Sequence, residues 1–141
     1  MTKKPSSLRH LIPHTIRPPF AAYSHGVLVR AQSDMIFCSG QLGIATDEVI
    51  PPDAGRQTEL CFDNIGAILA EGGMSFADVI RINAYVTDRS FMAAYMGVRD
   101  RLFPPPSPAS TLMIVGGFTR PEFKVEVEVI AARAPPDHPT P

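Results

Sequence analysis

The stretch Phe123-Lys124-Val125-Glu126-Val127-Glu128-Val129-Ile130 alternates without a break. Side chains on a β-strand point to opposite faces in turn, so Val125, Val127 and Val129 face one way. Lys124, Glu126 and Glu128 face the other. Two carboxylates therefore share one face of one strand, about 6–7 Å apart along it. In open solvent they are ordinary surface charges. If another surface covers them, each raises the pKa of the other and one becomes a candidate acid or base.

Working outward from this strand, the rest of the chain divides at its prolines. There are 15 in 141 residues, about twice the usual share. None interrupts a periodic segment, so they mark connections. Val27 to Ala31 and Met35 to Ser39 read as two strands joined at Ser33-Asp34, a hairpin. Asp53 is placed to cap a helix whose apolar stripe is Leu60, Cys61, Ile65, Ile68 and Leu69, ended by Gly72-Gly73. Residues 79–86 alternate again as a third strand. Ser90 is placed to cap a second helix with Phe91, Ala94, Tyr95, Val98 and Leu102 on its apolar face. Residues 111–115 and 124–132 complete the set. The order β-β-α-β-α-β-β predicts an α+β fold, a single sheet with both helices on one face. Residues 1–19 read as an extended arm, 20–133 as the folded domain and 134–141 as a disordered tail.

Composition excludes several classes of function. The net charge is -1 and no basic run exceeds Lys3-Lys4, which argues against a surface that tracks nucleic acid. Cys38 and Cys61 lack the spacing of a metal or disulfide framework. The histidines show no ligand-like spacing, so no metal site is predicted. No apolar run is long enough to span a membrane. These features predict a soluble, cytoplasmic protein. Each cysteine reads as a small buried hydrophobe.

Several short pieces, in order and at matching spacing, carry a family resemblance. They are Ala22-Tyr23-Ser24-His25, Phe37-Cys38-Ser39-Gly40-Gln41, Gln57-Thr58, Asn64, Tyr85-Val86-Thr87-Asp88, Phe91, Pro108-Ala109 and Val125-Glu126-Val127-Glu128. Together the chain resembles the reactive-intermediate deaminase (Rid, YjgF-like) family. The resemblance implies a chorismate-mutase-like fold and a homotrimer with clefts between adjacent subunits. It implies hydrolysis of the C=N bond of enamines and imines, without metal or cofactor. Glu126 is then the expected catalytic residue, orienting or deprotonating water. Its structural alternative is an ion pair with Lys124 or with an arginine across the trimer. The expected substrate-binding positions are Tyr23, Ser39, Gly40, Tyr95, Ser110 and Leu112.

One of these positions departs from the family pattern. An arginine follows the Pro-Ala pair in active members and forks onto the substrate carboxylate. Here the residue is Ser110. Losing such a charged pair costs about 2–5 kcal/mol. A family cysteine is Leu112 here, and a helix asparagine aligns with Tyr95. The expectation is therefore a hydrolase whose substrate is not a simple imino acid, or a metabolite-binding trimer without turnover. Arg17, Arg30, Arg81 and Arg120 are the arginines considered as substitutes for the missing one.

Overall fold

A computed structural model describes residues 8–135. Most of the predicted tail, 136–141, and the first seven residues of the predicted arm lie outside the described residues. Eight principal elements follow in order. They are β1 (Leu8–Leu11), β2 (Gly26–Val29), β3 (Asp34–Leu42), α1 (Ala54–Glu71), β4 (Val79–Val86), α2 (Met92–Leu102), β5 (Ala109–Ile114) and β6 (Val125–Arg133).

The alternating strand lies inside the main sheet, whose order is β3-β6-β4-β5. β6 runs antiparallel to both neighbours. Val125, Val127 and Val129 are buried against the helices. Burying one such side chain contributes about 1.5–3 kcal/mol. β4 and β5 are parallel. Parallel neighbours need a crossover connection, and α2 provides it. Both helices therefore lie on the valine side, where Phe62, Ile65, Leu69, Ile82 and Tyr95 form the core. The Phe62 ring stacks on Tyr95 at 6.3 Å between centroids and meets Phe103 edge-on at 5.4 Å. The α+β class and the placing of both helices on one sheet face agree with the sequence pattern.

Local chemistry explains the helix ends. The Asp53 carboxylate accepts the Arg56 N–H at 2.8 Å and caps α1. At the other end Gly73 turns with φ of 75°. That left-handed turn lets the Met74 N–H reach the Leu69 carbonyl at 2.8 Å. The second helix starts differently from its predicted Ser90 cap. A short 3-10 turn over Arg89–Phe91 precedes it, and Asp88 accepts the Ser90 N–H at 2.8 Å. Aspartate outcompetes the serine two residues later because its charged oxygen also accepts the Ser90 hydroxyl, at 2.7 Å.

The predicted hairpin between the first two strands does not form. β2 pairs with β1 of the arm, with Leu8 opposite Val29. β3 instead joins the edge of β6. Strand periodicity sets which residues share a face, but the pairing partner is set elsewhere in the chain. Here the arm, predicted as extended up to residue 19, supplies that partner. The segment before β2 is also tied to the main sheet. Ser24 bridges Ala109, its N–H bonding the Pro108 carbonyl at 3.1 Å.

Candidate active site

The side of the sheet away from the helices carries the polar residues of the alternating strands. Glu126 and Glu128 project there from β6, Asn83 and Tyr85 from β4, and Thr111 and Met113 from β5. The two carboxylates differ in what they touch. The Tyr85 hydroxyl donates to Glu128 Oε1 at 2.7 Å, and the Asn83 amide donates to the same oxygen at 3.3 Å. The charge of Glu128 pushes the Tyr85 phenol pKa up, mainly through that hydrogen bond. Glu126 has neither a hydrogen bond nor an ion pair among the described residues. Its pKa is raised, first by burial and then by repulsion from Glu128.

Lys124 does not neutralise Glu126. Its ammonium bonds the Pro52 carbonyl and lies 5.2 Å from the centre of the Phe91 ring. Its backbone N–H is held by Gln57 Oε1 at 2.8 Å, and the Gln57 amide in turn donates to Pro51 and Glu122 carbonyls at 2.8 and 2.9 Å. Gln57 is fully buried. Its side chain clamps the start of β6 to α1, and so sets where the first carboxylate of the strand emerges.

Ser39 and Gly40 meet this surface from β3. They do not sit at a strand end. Cys38 pairs with Val129 and Gln41 with Val127, so two residues of β3 oppose Glu128 alone. That is a β-bulge, which bends the strand and leaves backbone groups outside the ladder. A Cβ at Gly40 would overlap the Glu126 carboxylate. Beside the bulge lies a shallow depression of about 270 Å³, bordered by Phe37, Ser39, Asn83 and Glu128. A larger one of about 450 Å³ lies away from the carboxylates, against Leu8, Phe103 and Pro105.

The remaining predicted positions gather at another edge. Ser110 pairs with Ile82 and Leu112 with Ala84. Ile82 and Ala84 are both core residues. Ser110 and Leu112 therefore face the helices, and Leu112 packs against the core. Tyr95 is fully buried there, and burial pushes its phenol pKa up to about 12. Tyr23 is half-buried one residue before Ser24, which anchors it to the start of β5. Its hydroxyl accepts the Phe20 N–H at 3.2 Å. Within the chain, then, Ser39, Gly40 and Glu126 come together. Tyr23, Tyr95, Ser110 and Leu112 collect around β5, separated from them by β4.

Within the single chain, contacts of their own hold three of the four arginines considered as substitutes for the one missing at Ser110. Arg17 stacks 3.7 Å from the centre of the Phe20 ring. Arg81 donates to Thr111 at 2.7 Å on the other sheet face. Arg120 lies 6.0 Å from the centre of the Phe123 ring, and Arg30 is exposed just past β2. The arginine on the Ser110 side is Arg99 of α2, buried at 4% exposure. Sequence reasoning missed it. The signal was its spacing, four residues after Tyr95 on the helix face turned inward. Asn83 and Tyr85 were legible as one face of β4, but their bonds to Glu128 were not. His25 bonds the Arg17 carbonyl through Nε2 at 2.8 Å. Both cysteines are buried, and burial drives the Cys61 thiol up to about 12. Among the described residues no group of three or more His, Cys, Asp or Glu is clustered to hold a metal, and no helix is long and apolar enough to cross a membrane.

Known proteins share this architecture. The chain is similar to a goat (Capra hircus) 2-iminobutanoate/2-iminopropanoate deaminase, 31% identical over 134 residues, covering 92% of this chain and 95% of the relative. It is similar to the mitochondrial protein mmf1 of Schizosaccharomyces pombe, 32% identical over 99 residues, which are 69% of this chain and 61% of that protein's length. Mitochondrial relatives leave the predicted cytoplasmic location open. A solved structure of YyfB from Yersinia pestis, a protein of the conserved Rid family, superposes with a TM-score of 0.78 at 24% identity, covering 90% of this chain and 99% of that one. The family model described as Endoribonuclease L-PSP matches residues 15–133. The chain belongs to that family, the Rid or YjgF-like family that its sequence resembles.

Proposed function

We propose that the protein hydrolyses the C=N bond of small enamines or imines in a cleft formed between the subunits of a homotrimer. The observation that carries this reading is the inequality of the two carboxylates. Glu128 is engaged by Tyr85 and Asn83, whereas Glu126 has no hydrogen bond or ion pair among the described residues and has its pKa raised. A carboxylate with free lone pairs and a raised pKa is suited to take a proton from water. Water adds to the imine carbon while Glu126 accepts its proton. The tetrahedral adduct then collapses to a carbonyl, and ammonia leaves with the protons it needs from Glu126 and water. An enamine enters after tautomerising to the imine. The reaction in this reading needs neither metal nor cofactor.

The separation of the predicted site residues favours assembly. A cleft that joins the Glu126 face of one subunit to the β5 edge of the next unites the two groups. The same face exposes Phe37 at 72% and Met113 at 53%, apolar surface that closing three sheets about an axis removes. The related deaminase named for 2-iminobutanoate and 2-iminopropanoate supports the reaction class. The family model's description, an endoribonuclease, fits less well. A face with Glu126 and Glu128 at its centre repels phosphate, and the net charge is -1.

The domain 20–133 and the homotrimer are the working unit of this proposal, with self and a small molecule as partners. The expected exclusion of simple imino acids rests on Ser110 alone. A binding trimer without turnover is the competing reading, favoured by that same serine. Assay of a panel of enamines and imines distinguishes the two. Glu126→Gln should lower the hydrolysis of at least one by about a hundredfold or more. Equal turnover by the variant, or none by the wild type, rejects the hydrolase.

A further inference from the structure

Tyr85 stands opposite Glu126 in the register of β4 and β6, yet its hydroxyl bonds the other carboxylate. The ring runs diagonally across the sheet face to Glu128, a reach that aromatic side chains have across antiparallel strands. Asn83, the direct partner of Glu128, donates to the same Oε1. Glu128 thus holds two donors from β4, and Glu126 holds none among the described residues. The two share one face of one strand, about 6–7 Å apart along it. Two carboxylates at that spacing titrate as a pair. The pair's last proton resides on the member whose anion is the less stabilised.

The other charges near the pair are engaged elsewhere. Arg81 of β4 donates to Thr111 at 2.7 Å, and the Lys124 ammonium is held at the Pro52 carbonyl. β5 carries no charged side chain. The one charged residue of β3, Asp34, stands opposite Arg133 at the far end of the strand. Behind the sheet lie Cys38 of β3 and Cys61 of α1. Burial is the first cause that raises both thiols, and the charge of Glu128 on Cys38 and of Glu126 on Cys61 adds to it. Neither thiol is charged at neutral pH. The asymmetry between the carboxylates therefore comes from Tyr85 and Asn83. The tyrosine is the stronger donor, at 2.7 Å against 3.3 Å for the amide.

We propose that Tyr85, seconded by Asn83, is a positioning residue that fixes the proton of the Glu126–Glu128 pair on Glu126. In this role the tyrosine touches neither water nor substrate. It acts through Glu128. By bonding that carboxylate it leaves Glu126 as the single site of proton uptake and release. The catalytic consequence rests on the hydrolase reading above. There Glu126 takes a proton from water and returns it to the departing nitrogen. It can do so from one place only if the proton does not divide between two carboxylates. Phenylalanine at position 85 keeps the ring and removes the hydroxyl, so that exchange separates positioning from packing.

An NMR pH titration of the full chain, following the Glu126 side-chain carboxyl resonance, tests this without a substrate. Glu126→Gln assigns the resonance. In wild type Glu126 should titrate in one step, passing from one-tenth to nine-tenths ionised over about two pH units. Tyr85→Phe should split that curve into two steps spread over about three pH units or more, because the proton then divides between the carboxylates. Glu128→Gln should keep the single step and move its midpoint down toward the ordinary value of 4.5, since the repelling charge is gone. A hydroxyl that only braces the strands changes neither curve. If Glu128→Gln does not fold, Tyr85→Phe decides. Two steps at Glu126 in wild type, a single step in Tyr85→Phe, or an unmoved midpoint in Glu128→Gln overturns the proposal. The hydrolase reading fails separately. The expected curves in a protein that turns over no C=N substrate keep the positioning role of Tyr85 and remove the hydrolase.

Discussion

Glu126 lies so close to Gly40 that a Cβ on position 40 would fall within 2.9 Å of the Glu126 carboxyl carbon and overlap its Oε1. The glycine is the inner residue of the β3 bulge, and its missing side chain is the space the carboxylate uses. Gly40 was expected from the sequence as a substrate-binding position. Its contact with Glu126 gives it a second duty, setting the orientation of the group proposed to handle water.

Gly40→Ala should therefore act on Glu126 before it acts on the fold. The clashing atoms are the far end of a flexible side chain, so the carboxylate can swing away at small cost in stability. Hydrolysis of a turned-over imine should fall about tenfold or more, the effect of a small misplacement of a catalytic group. The Tm should change little. Full activity in the alanine variant shows that Glu126 works from another orientation.

The raised pKa of Glu126 has a sign that stability measurements can check. Its ordinary value is 4.5 and the folded value is higher. Below about pH 4.5 the group is protonated in both states. As pH rises from there through the folded value, the unfolded chain loses the proton first, so stability falls. Wild type and Glu126→Gln should converge in Tm at acid pH, apart from a constant offset, and separate above it, with the glutamine variant gaining. A difference independent of pH from 4 to 8 shows that the folded pKa is not raised.

Ser110→Arg restores by sequence the residue the family pattern expects. The structure predicts the opposite of a simple gain. The Ser110 hydroxyl is buried on the same side as Arg99 and Tyr95. A second guanidinium there meets like charge without a carboxylate to balance it. The variant should lose about 3 kcal/mol of stability, read by urea unfolding. A stable variant with raised imino-acid turnover shows instead that the new arginine reaches an open cleft.

The homotrimer is tested on the exposed apolar rim of the carboxylate face. Phe37 is 72% exposed and sits beside Ile130 on that face. Phe37→Glu adds a buried charge near Glu126 and Glu128 if the face is covered. Light scattering at micromolar concentration should give a trimer for wild type and mostly monomer for the variant. A wild-type monomer rejects the inter-subunit cleft.

Much of this architecture was legible in the chain because its signals are local. The valine alternation of β6, the apolar stripe of α1 and the Asp53 cap each depend on neighbours within a few residues. Periodicity put Glu126 and Glu128 on one face, and the family resemblance selected Glu126. What the chain could not state are relationships between distant segments. β2 could have paired with β3, and its alternation suits either neighbour. The arm decided the matter, across the loop between Leu11 and Gly26. The bulge at Ser39-Gly40 appears only when β3 is set against β6.

The distinction between the two carboxylates was likewise a tertiary one. Tyr85 and Asn83 stand more than forty positions before Glu128, and only strand register brings them to it. Arg99 is the sharpest case. Its sequence position makes it a helix residue among many, and its burial depends on β5 returning beneath α2. Local spacing determined which faces this protein has. Packing of segments far apart in sequence decided which polar groups on those faces find partners within the chain.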